Sequence, residues 1–164
     1  MMEALLDLDA VLPAGTGLSL DTGVLEPGRL IFARGPLVVR ALVRSGIVVM
    51  VSDLAESVAG VVHFVLPDAL PDDADLRCGE IAVPALVDGL YRRGGPGLRL
   101  EARIFGGALS RTQPDGDVGR ANAAVAVWAL AALGVPVPES DTGGADARRL
   151  TLDLGTGNVV VDRV

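Results

Sequence analysis

Two side chains of this sequence could take part in nucleophilic catalysis, because the chain has one histidine, His63, and one cysteine, Cys78. A cysteine thiolate attacks a carbonyl carbon, and a neighbouring histidine takes the thiol proton and passes it to the leaving group. His63 stands between Val62 and Phe64, in an apolar run where a lone histidine is more often a hydrogen-bonded core residue. Cys78 alone is equally typical of a small core hydrophobe. One histidine and one cysteine are too few for a structural zinc site, so no metal is predicted.

Two glycine pairs, Gly106-Gly107 and Gly143-Gly144, are the candidates for loops that bind phosphate. Neither pair has the spacing of a phosphate-binding loop or of a dinucleotide fingerprint. Tight turns that need a positive φ angle are the favoured interpretation of both pairs. No cofactor is predicted.

The elements that must position these residues are mostly strands. Strand segments are predicted at 37–39, 41–43, 47–51, 58–66 and 98–104. Helices are predicted at 78–93 and at 119–133, the first with a late start or a kink at Pro84. A hairpin is predicted at 148–164.

The excess of strands, with hairpin connections, predicts an α/β fold of the layered α+β type with a mixed sheet, not a doubly wound nucleotide fold. Residues 1–28, rich in glycine and proline, are predicted to be an irregular lead-in. Residues 29–164 are predicted to form one domain.

Composition and charge restrict the possible partners and compartments. The formal net charge is −7, which disfavours binding to nucleic acid or to an anionic membrane surface. The apolar runs are too short to span a bilayer, so no membrane insertion is predicted. The first ten residues lack the basic start of a secretory signal, and a single cysteine fits a reducing cytosol. A cytoplasmic location is therefore predicted.

Five short segments follow one another along the chain. They are a histidine followed by Leu-Pro within 58–68, an FGGA segment at 105–108, the run VGRAN at 118–122, DTGG at 141–144 with Arg148 behind it, and a closing strand at 157–161. Together and in this order they resemble the CheD family of chemoreceptor glutamine deamidases. The resemblance extends from about Leu30 to Val161.

This resemblance implies a fold similar to that of CheD and the cytotoxic necrotizing factor deamidases. It implies hydrolysis of glutamine side-chain amides on chemoreceptor cytoplasmic helices, by a cysteine, a histidine and a threonine that orients the histidine. It also implies two kinds of partner, namely chemoreceptor cytoplasmic helices and CheC-type phosphatases.

Carried over residue by residue, the resemblance places the family histidine on His63 and the serine before the catalytic cysteine on Ser45. The cysteine itself falls on Gly46 and the threonine on Arg40, so two catalytic side chains are missing. Positions implied for substrate or partner binding are Phe105, Gly106, Gly107, Asn122, Gly143 and Gly144.

Three functions remain open on these grounds. The leading hypothesis is a catalytically silent CheD homologue that binds receptor helices or a CheC-type phosphatase. The first alternative is an active deamidase with a relocated nucleophile such as Cys78, and the second is a structural or sensory domain outside chemotaxis. For the silent protein, changing Gly46 to Cys together with Arg40 to Thr is expected to restore weak activity.

Overall fold

The computed structural model of the chain describes residues 5–7, 20–68, 75–110 and 117–164. Within these residues the chain forms ten strands and two helices. The strands are β1 (Leu5–Asp7), β2 (Leu20–Val24), β3 (Leu30–Arg34), β4 (Leu37–Val43), β5 (Ile47–Asp53), β6 (Val58–Phe64), β7 (Glu101–Gly106), β8 (Glu139–Thr142), β9 (Arg148–Asp153) and β10 (Val159–Arg163). The helices are α1 (Gly79–Gly94) and α2 (Val118–Ala132).

The strands form two mixed sheets. The first sheet has six strands in the order β1-β3-β6-β5-β7-β8, with parallel pairs at both edges and antiparallel pairs between. The second sheet has four strands in the order β10-β9-β4-β2. The helices pack on one face of the first sheet and the second sheet packs on its other face, which confirms the predicted layered α/β architecture.

Two apolar layers follow from this arrangement. Every residue of β5 and β6 is buried, because both strands are covered on both faces. Along β6, Val62 and Phe64 point toward the helices, whereas Ala59 and Val61 point toward the second sheet. In β4 buried residues alternate with exposed or half-exposed ones, because the outer face of the second sheet is open to solvent.

Three local features differ from the sequence-based expectation. The segment 1–28 is not irregular throughout, because it contains β1 and β2; most of its other residues lie outside the described ranges. Helix α1 begins at Gly79 and continues through Pro84, so the late start is wrong. Strands β3 and β8 were not predicted; β8 was missed because an exposed edge strand has no apolar alternation. None of the helices in the described part of the chain is long and apolar enough to cross a membrane.

Candidate active site

His63 lies on the face of β6 that points between the two sheets. Its side chain is 3% exposed. The ring Nδ1 atom lies 3.0 Å from the main-chain oxygen of Leu25, and a carbonyl only accepts, so Nδ1 carries the proton. The neutral ring therefore presents an unprotonated Nε2 atom. Burial lowers the pKa of His63, and the hydrogen bond to Leu25 opposes that shift.

Gly46 lies directly in front of this Nε2 atom. It belongs to the turn between β4 and β5, one residue before the strand that pairs with β6. A Cβ atom built on Gly46 would lie 3.2 Å from Nε2 of His63. A side chain at position 46 would therefore stand next to the imidazole. The family resemblance assigns positions 46 and 63 to one catalytic group, and in the structure the two positions are neighbours.

Space around Gly46 is tight. The same Cβ atom would lie 2.7 Å from the carbonyl oxygen of Phe64 and 3.0 Å from a methyl group of Val65. Any larger residue at position 46 must therefore displace main-chain atoms of the neighbouring strand end.

Asn122, on α2, holds the turn that contains Gly46 close to the end of β6. Its side chain is fully buried, and its amide nitrogen donates to the carbonyls of Ser45 at 2.9 Å and of Val65 at 3.0 Å. These two carbonyls belong to the neighbours of Gly46 and of Phe64. One amide group thus links the turn before β5 to the end of β6.

The end of β7 closes the other side of the turn. Gly107 donates its N–H to the carbonyl of Gly46 at 2.8 Å, and Ala108 donates to the carbonyl of Arg44 at 2.7 Å. Gly106 and Gly107 have φ angles of 119° and 69°, and a Cβ atom on Gly106 would lie 2.3 Å from the Gly46 oxygen. Glycine is required here for the close approach of two main chains, which confirms the predicted turn conformation.

Arg148 connects this turn to the second glycine pair. Its side chain is buried, and it donates to the carbonyl of Gly106 at 3.2 Å and to that of Gly143 at 2.9 Å. It also forms an ion pair with Asp141 at 3.1 Å. In the sequence, Arg148 follows the DTGG segment that resembles the family, but an arginine in a sequence does not by itself indicate a buried guanidinium.

A pocket of about 340 Å³ opens beside these turns. Its lining residues are Gly107, Leu109, Asp117, Arg120, Ala123, Thr142, Gly143 and Gly144. This volume lies at the lower end of the range for small-molecule sites, which is enough to admit one side chain of a partner. Three of the predicted binding positions, Gly107, Gly143 and Gly144, line it.

The other predicted binding positions are not among the residues that line this pocket. Phe105 is 1% exposed in the layer between the sheets, and Asn122 is fully enclosed. Gly106 is buried against the Gly46 carbonyl. In this conformation these three residues support the site and do not form its surface.

Three further residues that the sequence singled out are spread around the site. Arg40 is exposed and follows Val39 in β4, so its side chain lies on the outer face of the second sheet, whereas His63 faces inward. Ser45 is half-buried in the turn, one residue before Gly46. Cys78 precedes α1, which packs on the face of the first sheet opposite to His63.

The partner that orients His63 is one that the sequence analysis missed. Leu25 is fully buried, its N–H donates to the carbonyl of Arg40 at 2.6 Å, and its own carbonyl accepts from His63. A main-chain acceptor leaves no mark in the residue type. Among the described residues, no group of three or more His, Cys, Asp or Glu side chains could hold a metal ion.

Comparison with known proteins supports the family resemblance. The chain matches the sequence model of a family described as CheD chemotactic sensory transduction, over residues 65–163. A probable chemoreceptor glutamine deamidase CheD of Caulobacter vibrioides is 38% identical over 128 residues, which cover 75% of this chain and 67% of the relative. A probable chemoreceptor glutamine deamidase CheD 2 of Geobacter sulfurreducens is 32% identical over 142 residues, or 85% of this chain and 88% of the relative.

The family match and the coverage of these relatives extend over most of the domain that surrounds the site. The fold and the motif order agree with the same assignment. This chain belongs to the CheD family of chemotaxis proteins.

Proposed function

We propose that this chain is a catalytically silent member of the CheD family, which acts by binding chemoreceptor cytoplasmic helices without deamidating them. The observation that carries the proposal is the position of Gly46. A side chain there would stand beside the unprotonated Nε2 atom of His63, yet glycine supplies no atom that could attack an amide. The base is present and the nucleophile is absent.

Covalent amide hydrolysis needs a nucleophile within hydrogen-bonding reach of its base. Ser45 precedes Gly46, but its carbonyl is fixed by Asn122, so the turn cannot rotate to exchange the two positions without losing that bond. Cys78 is the buried residue before α1, and its main chain pairs with Leu66 beyond the end of β6. It therefore does not occupy the position in front of the His63 ring, where Gly46 stands.

The binding half of the proposal depends on the pocket at the glycine turns. Gly107, Gly143 and Gly144 border a space of about 340 Å³, and exposed Leu109 stands at its edge. The relatives are named as probable deamidases of chemoreceptors, so a receptor helix is the partner whose glutamine side chain suits a pocket of this kind. A CheC-type phosphatase is the second partner that the family resemblance implies.

The claim of catalytic silence is tested by incubating the protein with a chemoreceptor cytoplasmic fragment and measuring each Gln-to-Glu conversion by mass spectrometry. The Caulobacter relative serves as the positive control. No conversion is expected above the level without protein. Conversion that disappears in Cys78→Ser would establish the relocated nucleophile and overturn the proposal.

The binding half is tested by surface plasmon resonance on the same fragment, with a phosphatase of the CheC type as a parallel analyte. Leu109→Asp should weaken binding, because Leu109 lies at the pocket edge and is 51% exposed. The matched control is Leu54→Asp, since Leu54 is 44% exposed but follows the other end of β5. Failure of both analytes to bind, or equal losses in the two variants, would favour a domain that functions outside chemotaxis.

A further inference from the structure

The pocket beside the glycine turns contains one anionic and one cationic side chain, next to each other. Asp117 and Arg120 line it, and its other lining residues are uncharged. Nε of Arg120 lies 3.7 Å from Oδ2 of Asp117, which is close enough for an ion pair but too long for a hydrogen bond. The two charges therefore largely cancel, while the guanidinium keeps N–H donors and the carboxylate keeps lone pairs that a ligand can use.

The start of helix α2 fixes the position of Asp117 in this pocket. Oδ1 of Asp117 accepts the main-chain N–H of Arg120 at 2.9 Å, and the carbonyl of Asp117 accepts that of Ala121 at 3.1 Å. The Arg120 side chain, in contrast, is 87% exposed. A ligand that approaches the guanidinium in the pocket therefore also meets the carboxylate.

The remaining walls of the pocket suit an unbranched side chain with methylene groups. Gly143 and Gly144 have φ angles of 88° and 75°. Apart from chain neighbours, no atom of the described residues lies within 4 Å of a Cβ built on either glycine. Their turn thus presents bare main chain to the pocket, and Leu109 and Ala123 supply apolar contacts.

We infer that this pocket binds a glutamine side chain and discriminates against glutamate at the same position. The inference rests on the proposed receptor binding and deepens it. A primary amide has an oxygen that accepts from Arg120 and an NH₂ group that donates to Asp117. A carboxylate has no donor, and its charge would lie beside that of Asp117, whereas the charge of Arg120 is already paired.

The discrimination gives the silent protein a dependence on the state of the receptor. Glutamine and glutamate are almost equal in size, so the donor and the charge are the differences that the pocket can detect. Neither His63 nor Gly46 lines the pocket, so this recognition does not need the missing nucleophile. The protein therefore occupies receptor sites that still carry glutamine, and conversion of such a site to glutamate by an active deamidase releases it.

Surface plasmon resonance tests this with two receptor fragments, which carry either glutamine or glutamate at each site that the Caulobacter relative deamidates. The wild type should bind the glutamine form about tenfold more tightly, a modest ratio because the pocket is open to solvent. In Asp117→Asn the helix keeps a good N-cap but the carboxylate charge is lost. Arg120 is then unpaired, so the glutamate form should bind this variant at least as tightly as the glutamine form.

Asp88→Asn is the matched control. Asp88 is also ion-paired with an arginine of its own helix, Arg92 at 2.9 Å, but it does not line the pocket. This variant changes the net charge of the protein by the same amount as Asp117→Asn. It should keep the preference of the wild type for the glutamine form.

The outcomes separate this inference from the proposed function. Equal affinity of the wild type for the two fragments overturns the inference and leaves the proposed receptor binding in place, whereas absence of binding to both fragments overturns both. A preference for glutamine that persists in Asp117→Asn contradicts the role of the pocket. A preference that disappears equally in Asp88→Asn assigns the effect to net charge and also contradicts it.

Discussion

The site of this protein consists of two parts that differ in how they are built. The frame consists of Asn122, Arg148 and the glycine turns, and both polar side chains are almost fully buried and hydrogen-bonded to carbonyls from distant segments. The reacting end consists of His63 and Gly46. There the histidine has one main-chain partner and the glycine offers no side chain. The family match, which begins at residue 65, covers the frame and not the reacting end.

The physical lesson is that the shape of such a site and its chemistry are separable. Buried polar groups destabilise a protein when their partners are removed, so the residues of the frame depend on one another for stability. A thiol beside His63 would take no part in those hydrogen bonds. Its absence leaves the frame intact, together with the pocket that the glycine turns line.

The largest effect is expected from a change in the frame. Arg148 and Arg163 each donate to the same oxygen of Asp141 at 3.1 Å, but their side chains are 2% and 57% exposed. Arg148→Ala should lower the free energy of unfolding by about 3–5 kcal/mol, because it leaves a cavity and deprives the carbonyls of Gly106 and Gly143 of a donor. Chemical denaturation of the purified variants measures this loss.

Arg163→Ala is the matched control, and it should cost about 0–1 kcal/mol because solvent screens an exposed pair. Equal losses in the two arginine variants would mean that Asp141 alone, and not the buried position of Arg148, determines the contribution. The distinction between frame and surface would then fail at this residue.

A smaller effect is expected at the reacting end, from Gly46→Cys. The new Cβ atom would approach the Phe64 carbonyl to 2.7 Å, so the turn must shift against the Asn122 bonds, at a cost of about 1–3 kcal/mol. Gly46→Ala adds the same Cβ atom without sulfur and should be destabilised equally. Iodoacetamide labelling of the Gly46→Cys protein then reports whether His63 activates the introduced thiol.

Adding Arg40→Thr to Gly46→Cys should change neither labelling nor deamidation. The sequence-based expectation was a gain, because the resemblance places the orienting threonine on Arg40. In the structure Arg40 is on the outer face of the second sheet and the carbonyl of Leu25 already holds Nδ1 of His63. A tenfold or larger gain in the double variant would show that residue 40 does act on the imidazole.

Much of the fold was predictable because its strands are continuous apolar runs, as in β5 and β6, and because α2 ends at a Gly-Val-Pro sequence. The edge strands β1, β2 and β8 and the internal strand β3 were not predicted, since pairing with a neighbour stabilises them more than their own pattern does.

The site was predictable in the same uneven way. The resemblance to the CheD family was enough to associate Gly46 with His63. The two lie side by side because β5, which starts directly after Gly46, pairs with β6. The roles of Leu25, Asn122 and Arg148 could not be predicted, because each acts through main-chain carbonyls, which every residue type has. The motif also suggested Phe105 as a contact residue, whereas in the structure it belongs to the core between the two sheets.

The smallest expected effect is the pH dependence of stability that His63 contributes. Its sign distinguishes a buried, neutral histidine from a charged one. Burial lowers the pKa of His63 in the folded state, so the unfolded chain binds this proton more readily. The stability that His63 contributes is therefore complete above its unfolded pKa of about 6.5 and is lost as the pH falls from there toward the folded pKa.

Within that interval the loss cannot exceed about 1.4 kcal/mol per pH unit, because one proton is involved. Urea denaturation of the wild type and of His63→Gln at pH 7.5 and pH 5.5 measures it. The chain has one histidine, so the acidic side chains contribute alike to both proteins and their effect cancels in the comparison. The wild type should lose more stability on acidification than the variant, and the titration of the single imidazole signal by NMR should have a midpoint below 6.5. A wild type that gains stability relative to His63→Gln at pH 5.5 would mean that the imidazolium is favoured. His63 would then be a charged group already provided with a partner, and the contrast between a frame anchored by several hydrogen bonds and a reacting end with one would not hold.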